Sequence, residues 1–286
     1  MKNNNTWFWL FLAPVMLALF FVVILPLIFG IYYSFTDWNG IIATRFVGIK
    51  NYINVFQSTT FLNALWFTTK FAVVAIIMEN VIGLALAMLV TQKFKGRHLL
   101  RTVFFMPNLI GGLILGFIWQ FIFIKAFAAV GNVIGVSALE SWLATPGTGF
   151  WGMIILMSWQ YAGYIMVIYI AYLENVDHEL IEAAEIDGAS AWQRFLHITI
   201  PMIAPAFTIN VFLTLSNSFK LYDQNLSLTA GGPYDSTQML AMDIYNTAFS
   251  QNNMALGQSK AVVFFLIVAI ISLTQVYYSK KREVEV

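Results

Sequence analysis

Cysteine is absent from the chain, which excludes disulfides, thiolate zinc sites and cysteine nucleophiles. Charge is nearly as scarce. Asp, Glu, Lys and Arg make up 10% of the 286 residues, against about 25% in a soluble domain. With 59% hydrophobic residues, this composition is that of an integral membrane protein. The net charge of +1 gives no reason to expect a nucleic-acid partner. His98, His178 and His197 are scattered and lie outside the apolar runs, a poor basis for a metal site.

Several chemical signatures are missing too. No Gly-x-x-x-x-Gly-Lys-Ser/Thr loop is present, so by that test the chain has no ATPase of its own. Neither Gly-x-Ser-x-Gly nor His-Glu-x-x-His occurs. Acids within the apolar runs are nearly absent, which leaves no paired-carboxylate proton relay. The expectation is a protein that is not an enzyme and holds no cofactor or metal. Uphill transport by such a chain would draw its energy from elsewhere.

What the sequence does have is long apolar runs. A spanning helix needs about 20 mostly apolar residues to cross roughly 30 Å at 1.5 Å per residue. Six runs qualify, at about 7–35, 61–91, 102–124, 150–173, 198–219 and 259–279. The second is interrupted by Lys70 and Glu79, and the fifth is the most polar. The first has no charge between Lys2 and Asp37, too long for the roughly 7–15-residue core of a cleavable signal, so it reads as a span. The expected fold class is an all-α integral membrane protein with six transmembrane helices, residues 1–286 forming a single transmembrane domain.

Orientation follows from the distribution of Lys and Arg in short loops. Lys93, Lys95, Arg97 and Arg101 lie between the second and third runs, and Lys280, Lys281 and Arg282 close the chain. Both segments are expected on the cytoplasmic side, and six spans put both termini there. The connections near 36–60, 126–150 and 220–259 fall outside by the same logic. By parity the polar segment near 177–200 is cytoplasmic.

That segment contains EAAEIDGASAWQRF, residues 182–195. Asp177 can cap a helix and Glu179 suits its positive end. Leu180, Ala183, Ala184 and Asp187 share one small, nearly flat face. Gly188 can stop the helix, and a second helix near 192–199 runs into Pro201, suited to the first turn of the fifth span. The segment reads as a plain connector or as a docking helix for another protein.

The longer stretch EAAEIDGASAWQRFLHITIPMIAP resembles the EAA loop of ABC importer permeases. Glu182, Ala183, Ala184, Gly188, Ile198 and Pro201 match its pattern, and Ile200 stands where the family has leucine. YYSFTDW at 32–38, FVGIKNY at 46–52, KGRHLLRTVFFMP at 95–107 and LTAGGPYDST at 228–237 are similar to the sugar-importer branch, the last to its MalF-type member. The resemblance covers nearly the whole chain and implies a compact six-span permease of a sugar importer, with oligosaccharides as the expected substrate class. It implies a second, MalG-like permease, two cytoplasmic ATPase subunits that use ATP and Mg, and an extracellular or periplasmic sugar-binding protein. The location it implies is a bacterial cytoplasmic membrane. Glu182, Ala183, Ala184, Asp187 and Gly188 would form the ATPase-coupling helix.

For the translocation path, the candidates are Glu79, Asn210, Thr214, Asn217, Trp159 and Tyr164. Amides and hydroxyls in a span can exchange hydrogen bonds with sugar hydroxyls, or serve to bond helices to one another. Aromatic rings can stack on sugars or simply pack. Glu79 lies about 16 Å up its helix from Val90 and needs a partner or water. Whether it pairs with Lys260 is open at this level. Gly112–Gly116 and Gly131–Gly135 have the spacing of close helix packing, and Gly231-Gly232-Pro233 reads as a turn or as part of a binding-protein surface. Alternatives are the same machinery moving a polyol, glycoside or sugar phosphate, and an ion-coupled secondary transporter. A membrane-embedded enzyme would need catalytic groups clustered at a membrane face, and the acids here cluster only in the EAA loop.

Overall fold

Long uninterrupted apolar runs satisfy every backbone group internally only as helices, and the computed structural model is helical almost throughout. It describes residues 4–43 and 45–281, so Lys2 and Arg282 of the charge pattern lie outside the described residues. Among the described residues there is no strand, only an isolated antiparallel bridge between Thr36 and Phe46. Five helices are long and apolar enough to cross a membrane: Trp7–Ser34, Thr59–Thr91, Gly112–Ile134, Pro146–Leu173 and Met254–Lys280. A bent pair, Ala191–Met202 and Ala204–Phe219, makes a sixth if counted as one span.

Two spans differ from the sequence expectation for identifiable reasons. The third was expected as one helix over 102–124. Instead, a short amphipathic helix Arg97–Phe105 ends in a 3₁₀ turn Met106–Leu109, and the apolar helix begins anew at Gly112. Pro107 removes a donor, and Gly111 takes an extended conformation at the start of the new helix. The fifth was expected to open at Pro201. The helix instead runs through Pro201 to Met202, breaks at Ile203 and turns by 67° into Ala204–Phe219, where Pro205 occupies the first turn. A π-helical stretch, Phe195–Thr199, immediately precedes Ile200–Met202 and widens the turn whose bond Pro201 cannot complete.

The chain divides into two compact units. The first comprises 1–62 and 243–266. Its helix Trp7–Ser34 has none of its most apolar stretch buried in the protein, as suits a surface bathed by lipid tails. The Ser34 end of that helix is tied down by polar side chains. Asn51 donates to the carbonyls of Ser34 and Thr36, and the Ser259 hydroxyl donates to Ser34 O at 3.0 Å. Within the same unit Lys260 is buried against Asp243, Nζ to Oδ2 being 2.7 Å, with Thr247 Oγ1 accepting at 2.8 Å. Lys260 therefore pairs with Asp243, which answers the question of its partner.

The second unit comprises 63–242 and 267–286. Pro146–Leu173 is its central helix. Thr145 opens it with a capping box shared with Thr148, and most of its length is buried. One core cluster packs Phe71, Phe123, Phe150 and Met157, and a second packs Ile165, Tyr169, Ile203 and Ala206. The glycines act where backbones come close. Gly163 lies against the Phe104 carbonyl with no room for a Cβ, and Gly116 lies against Ser227 in the same way. Of the two glycine pairs, Gly112 and Gly116 thus serve helix packing, against the short helix Asp223–Leu228. Gly135 does not: it ends Gly112–Ile134 in the left-handed region at φ 73° with open space around it.

The connection after the fifth span is more structured than a loop. Asn225, fully buried, donates to Thr237 O and accepts from Met239 N, and Gln120 donates to Leu228 O. Gly231-Gly232-Pro233 lies between these anchored ends, its Gly232–Pro233 bond cis, and leaves Tyr234 fully exposed.

Candidate coupling loop and buried polar face

The polar segment folds as two helices joined by a tight turn. Asp177 caps the first, His178–Ile186, its carboxylate accepting from Glu179 N at 2.9 Å. At the other end Ala189 N donates to Ala184 O and Gly188 N to Glu185 O, the paired bonds of a Schellman motif. Gly188 supplies the positive φ, 84°, that this motif requires. Ser190 then caps the next helix through a reciprocal pair with Gln193, Ser190 N donating to Oε1 at 2.8 Å. Arg194 holds the two helices together, donating to Ala189 O and pairing with Glu185 at 3.3 Å. Glu185 is mostly exposed, so that pair contributes about 1 kcal/mol at most, and the caps do more to set the angle.

This geometry separates the coupling candidates by face. Ile181 packs toward the second core cluster and Ala184 is half-buried, which anchors the helix. Glu182, Ala183, Asp187 and Gly188 are exposed, as is Leu180. Ala184, Asp187, Gly188, Gln193 and Arg194 line a shallow concavity of about 390 Å³ on this loop. Sequence reasoning missed two apolar residues that flank the turn, Ile186 at 87% exposure and Trp192 at 65%. Their signal was present, as large apolar side chains in a segment too polar for the bilayer. Exposed aromatic and aliphatic groups of this kind act as anchors in protein interfaces. Such a surface presents small residues for close approach, acids for orientation and two apolar anchors.

The transport candidates divide differently. Asn210, Thr214 and Ser218 recur every fourth residue along Ala204–Phe219 and are buried inside the second unit. Glu79, 1% exposed, faces Thr214 from the second span. Near it stands Tyr161, which meets Gln224 in turn, and Gln224 donates to Gln160 Oε1 at 2.9 Å. Asn210 donates weakly to Ile165 O at 3.5 Å, while Tyr169 donates to Asn80 Oδ1 at 2.7 Å. Glu79, Asn210 and Thr214 are therefore brought together, on a polar seam between the second, fourth and fifth spans. Tyr164 and Asn217 are half-buried, and Trp159 is 45% exposed beside Trp119. Sequence reasoning missed Gln160 and Gln224. The first sits in an otherwise apolar run, and the second lies in what read as a loop.

Known proteins bear on this arrangement. Residues 79–283 match the family described as binding-protein-dependent transport system inner membrane component. The chain is 56% identical, over 99% of its length and 97% of the relative's, to the "Probable starch degradation products transport system permease protein AmyD" of Thermoanaerobacterium thermosulfurigenes. It is 33% identical to the "Multiple sugar-binding transport system permease protein MsmF" of Streptococcus mutans, covering 98% of each. Among solved structures, a chain of a bacterial ABC transporter for import of the acidic polysaccharide alginate superposes with a TM-score of 0.86 at 19% identity, covering 98% of this chain and 96% of that one. That likeness speaks to the fold. The sequence matches and the multi-pass helical architecture together make this chain a member of the binding-protein-dependent transport system inner membrane components, a transport permease of the ABC importer type.

Proposed function

We propose that this chain is one of two permease subunits of an ATP-driven importer for oligosaccharides, in a bacterial cytoplasmic membrane with both termini on the cytoplasmic side. The observation that carries the proposal is the coupling loop. A capped helix ends in a Schellman motif at Gly188, carries the Glu182-Ala183-Ala184 pattern, and keeps its small and acidic face exposed. That loop docks a cytoplasmic ATPase subunit and passes its motion through Arg194 and the bent helix Ala191–Met202 into the fifth span. The fifth span carries Asn210 and Thr214, so motion at the loop reaches the polar seam through one continuous stretch of backbone. ATP and Mg belong to the ATPase subunits. The other half of the pathway comes from a MalG-like permease, and an external binding protein delivers the sugar.

The 56% identity to a permease named for starch degradation products favours maltodextrins among oligosaccharides. Deleting the gene is expected to lower uptake of radiolabelled maltotriose and maltotetraose at least tenfold, with restoration by the wild-type chain. Unchanged maltodextrin uptake alongside lost uptake of a polyol or sugar phosphate would reassign the substrate.

A further inference from the structure

The second and fourth spans and the short helix Arg97–Phe105 enclose an open groove of about 520 Å³. Met78, Ile82 and Leu86, four residues apart, form one wall. Phe104 and Pro107 form another, and Trp151 and Trp159 stand on the third. Ser158 supplies the groove's hydroxyl, and the remaining lining is almost wholly apolar. The close approach of Gly163 to the Phe104 carbonyl closes the floor.

Length and charge say what fits. Along the second span the groove runs from Leu86 to Met78, about 12 Å, and along the fourth from Gly163 to Trp151, about 18 Å. One leaflet of the hydrocarbon core is about 15 Å deep. The end near Leu86 leads toward cations. Arg97 lies two turns before Phe104 on the same face of its helix, about 10 Å away. Lys93 and Lys95 are exposed in the connection just before it. Among the described residues none of these three makes an ion pair, whereas Arg101 is taken by Glu174 at 2.6 Å. An apolar slot one leaflet deep with unpaired cations beyond one end is complementary to a single ligand class.

We infer that the groove holds an acyl chain of an anionic phospholipid whose phosphate lies against Arg97, Lys93 and Lys95. Basic pockets between transmembrane helices select anionic headgroups in this way. The bound lipid fills a gap between the second span and the helix Arg97–Phe105 and so stiffens the wall behind the polar seam.

The test uses the purified importer in phosphatidylcholine nanodiscs, titrated with phosphatidylglycerol or phosphatidylcholine carrying brominated acyl chains, which quench tryptophan on contact. Brominated phosphatidylglycerol is expected to quench at several-fold lower mole fraction than its phosphatidylcholine counterpart. The W151F/W159F variant should lose that excess quenching. K93Q/K95Q/R97Q should raise the half-saturating fraction of phosphatidylglycerol by that same several-fold, to the phosphatidylcholine value. Because loop charges also guide insertion, I82F/I155F provides a second arm: it fills the groove, leaves the charges, and should abolish the excess quenching in an assembled importer. Equal quenching by both headgroups would overturn the proposal. So would an absence of quenching at Trp151 and Trp159, the result expected if a partner permease covers the groove.

Discussion

Gly188→Val is expected to leave the subunit inserted at normal level yet cut uptake by roughly 5–30-fold. The residue sits at φ 84° with nothing within 4 Å of a built Cβ, so the substitution meets no neighbour. Its cost is conformational. A left-handed backbone costs a side-chain-bearing residue about 1–2 kcal/mol, and a β-branched one tolerates it worst. Relief comes by unwinding the turn, which removes the Ala189-to-Ala184 and Gly188-to-Glu185 bonds and releases the helix from its angle to Ala191–Met202. An energy of that size changes the docking-competent fraction by the stated factor. Gly188→Asn, which tolerates the same region, should retain most of the transport. The measurement is sugar uptake normalised to membrane-inserted subunit. Normal uptake by the valine variant would show that the turn geometry is dispensable.

Lys260→Met should act on stability and not on coupling. Its ammonium and the Asp243 carboxylate are 2% and 3% exposed, with Thr247 accepting a further bond and the Phe61 ring 5.9 Å away. Removing one partner leaves a buried, uncompensated charge, at a cost of about 3–5 kcal/mol. The subunit should lose most of its folded yield in a detergent thermal-shift assay, and Asp243→Asn should lose somewhat less. Replacing both together, as K260M/D243L, should recover most of the loss, because a matched apolar pair avoids the desolvation penalty. If the double variant is as unstable as the sum of the singles, the pair is not the stabilising unit.

How far the sequence anticipates this structure depends on whether local or distant residues decide the feature. Length and hydropathy act locally, so the helices over 7–34, 59–91, 146–173 and 254–280 were legible to within a few residues. The helix His178–Ile186 and its closing turn were legible for the same reason, since Asp177 and Gly188 fix its ends through bonds reaching only a few residues along the chain. Breaks were harder. Pro201 read as the start of the fifth span, yet Pro205 occupies the first turn of Ala204–Phe219, and only the widened turn at Phe195–Thr199 shows how Pro201 is absorbed. Long-range partners were illegible. Nothing in the sequence marks Asp243 as the counter-ion of Lys260, or Gln224 as a neighbour of Gln160, because each pairing is set by how helices pack. The spacing at Gly131–Gly135 held only in part: Gly131 packs tightly against Val136 and Leu139, whereas Gly135 ends the helix, and the two kinds of glycine look alike until φ is known.

The central claim is that the exposed face of His178–Ile186 meets an ATPase inside the cell. With no native cysteine, a single Ala183→Cys introduces a unique thiol on that face. In intact cells that thiol should resist a membrane-impermeant maleimide, and in inverted vesicles it should crosslink to the ATPase subunit in a way that changes with bound ATP. Labelling from outside intact cells, with no ATPase crosslink in inverted vesicles, would contradict the account.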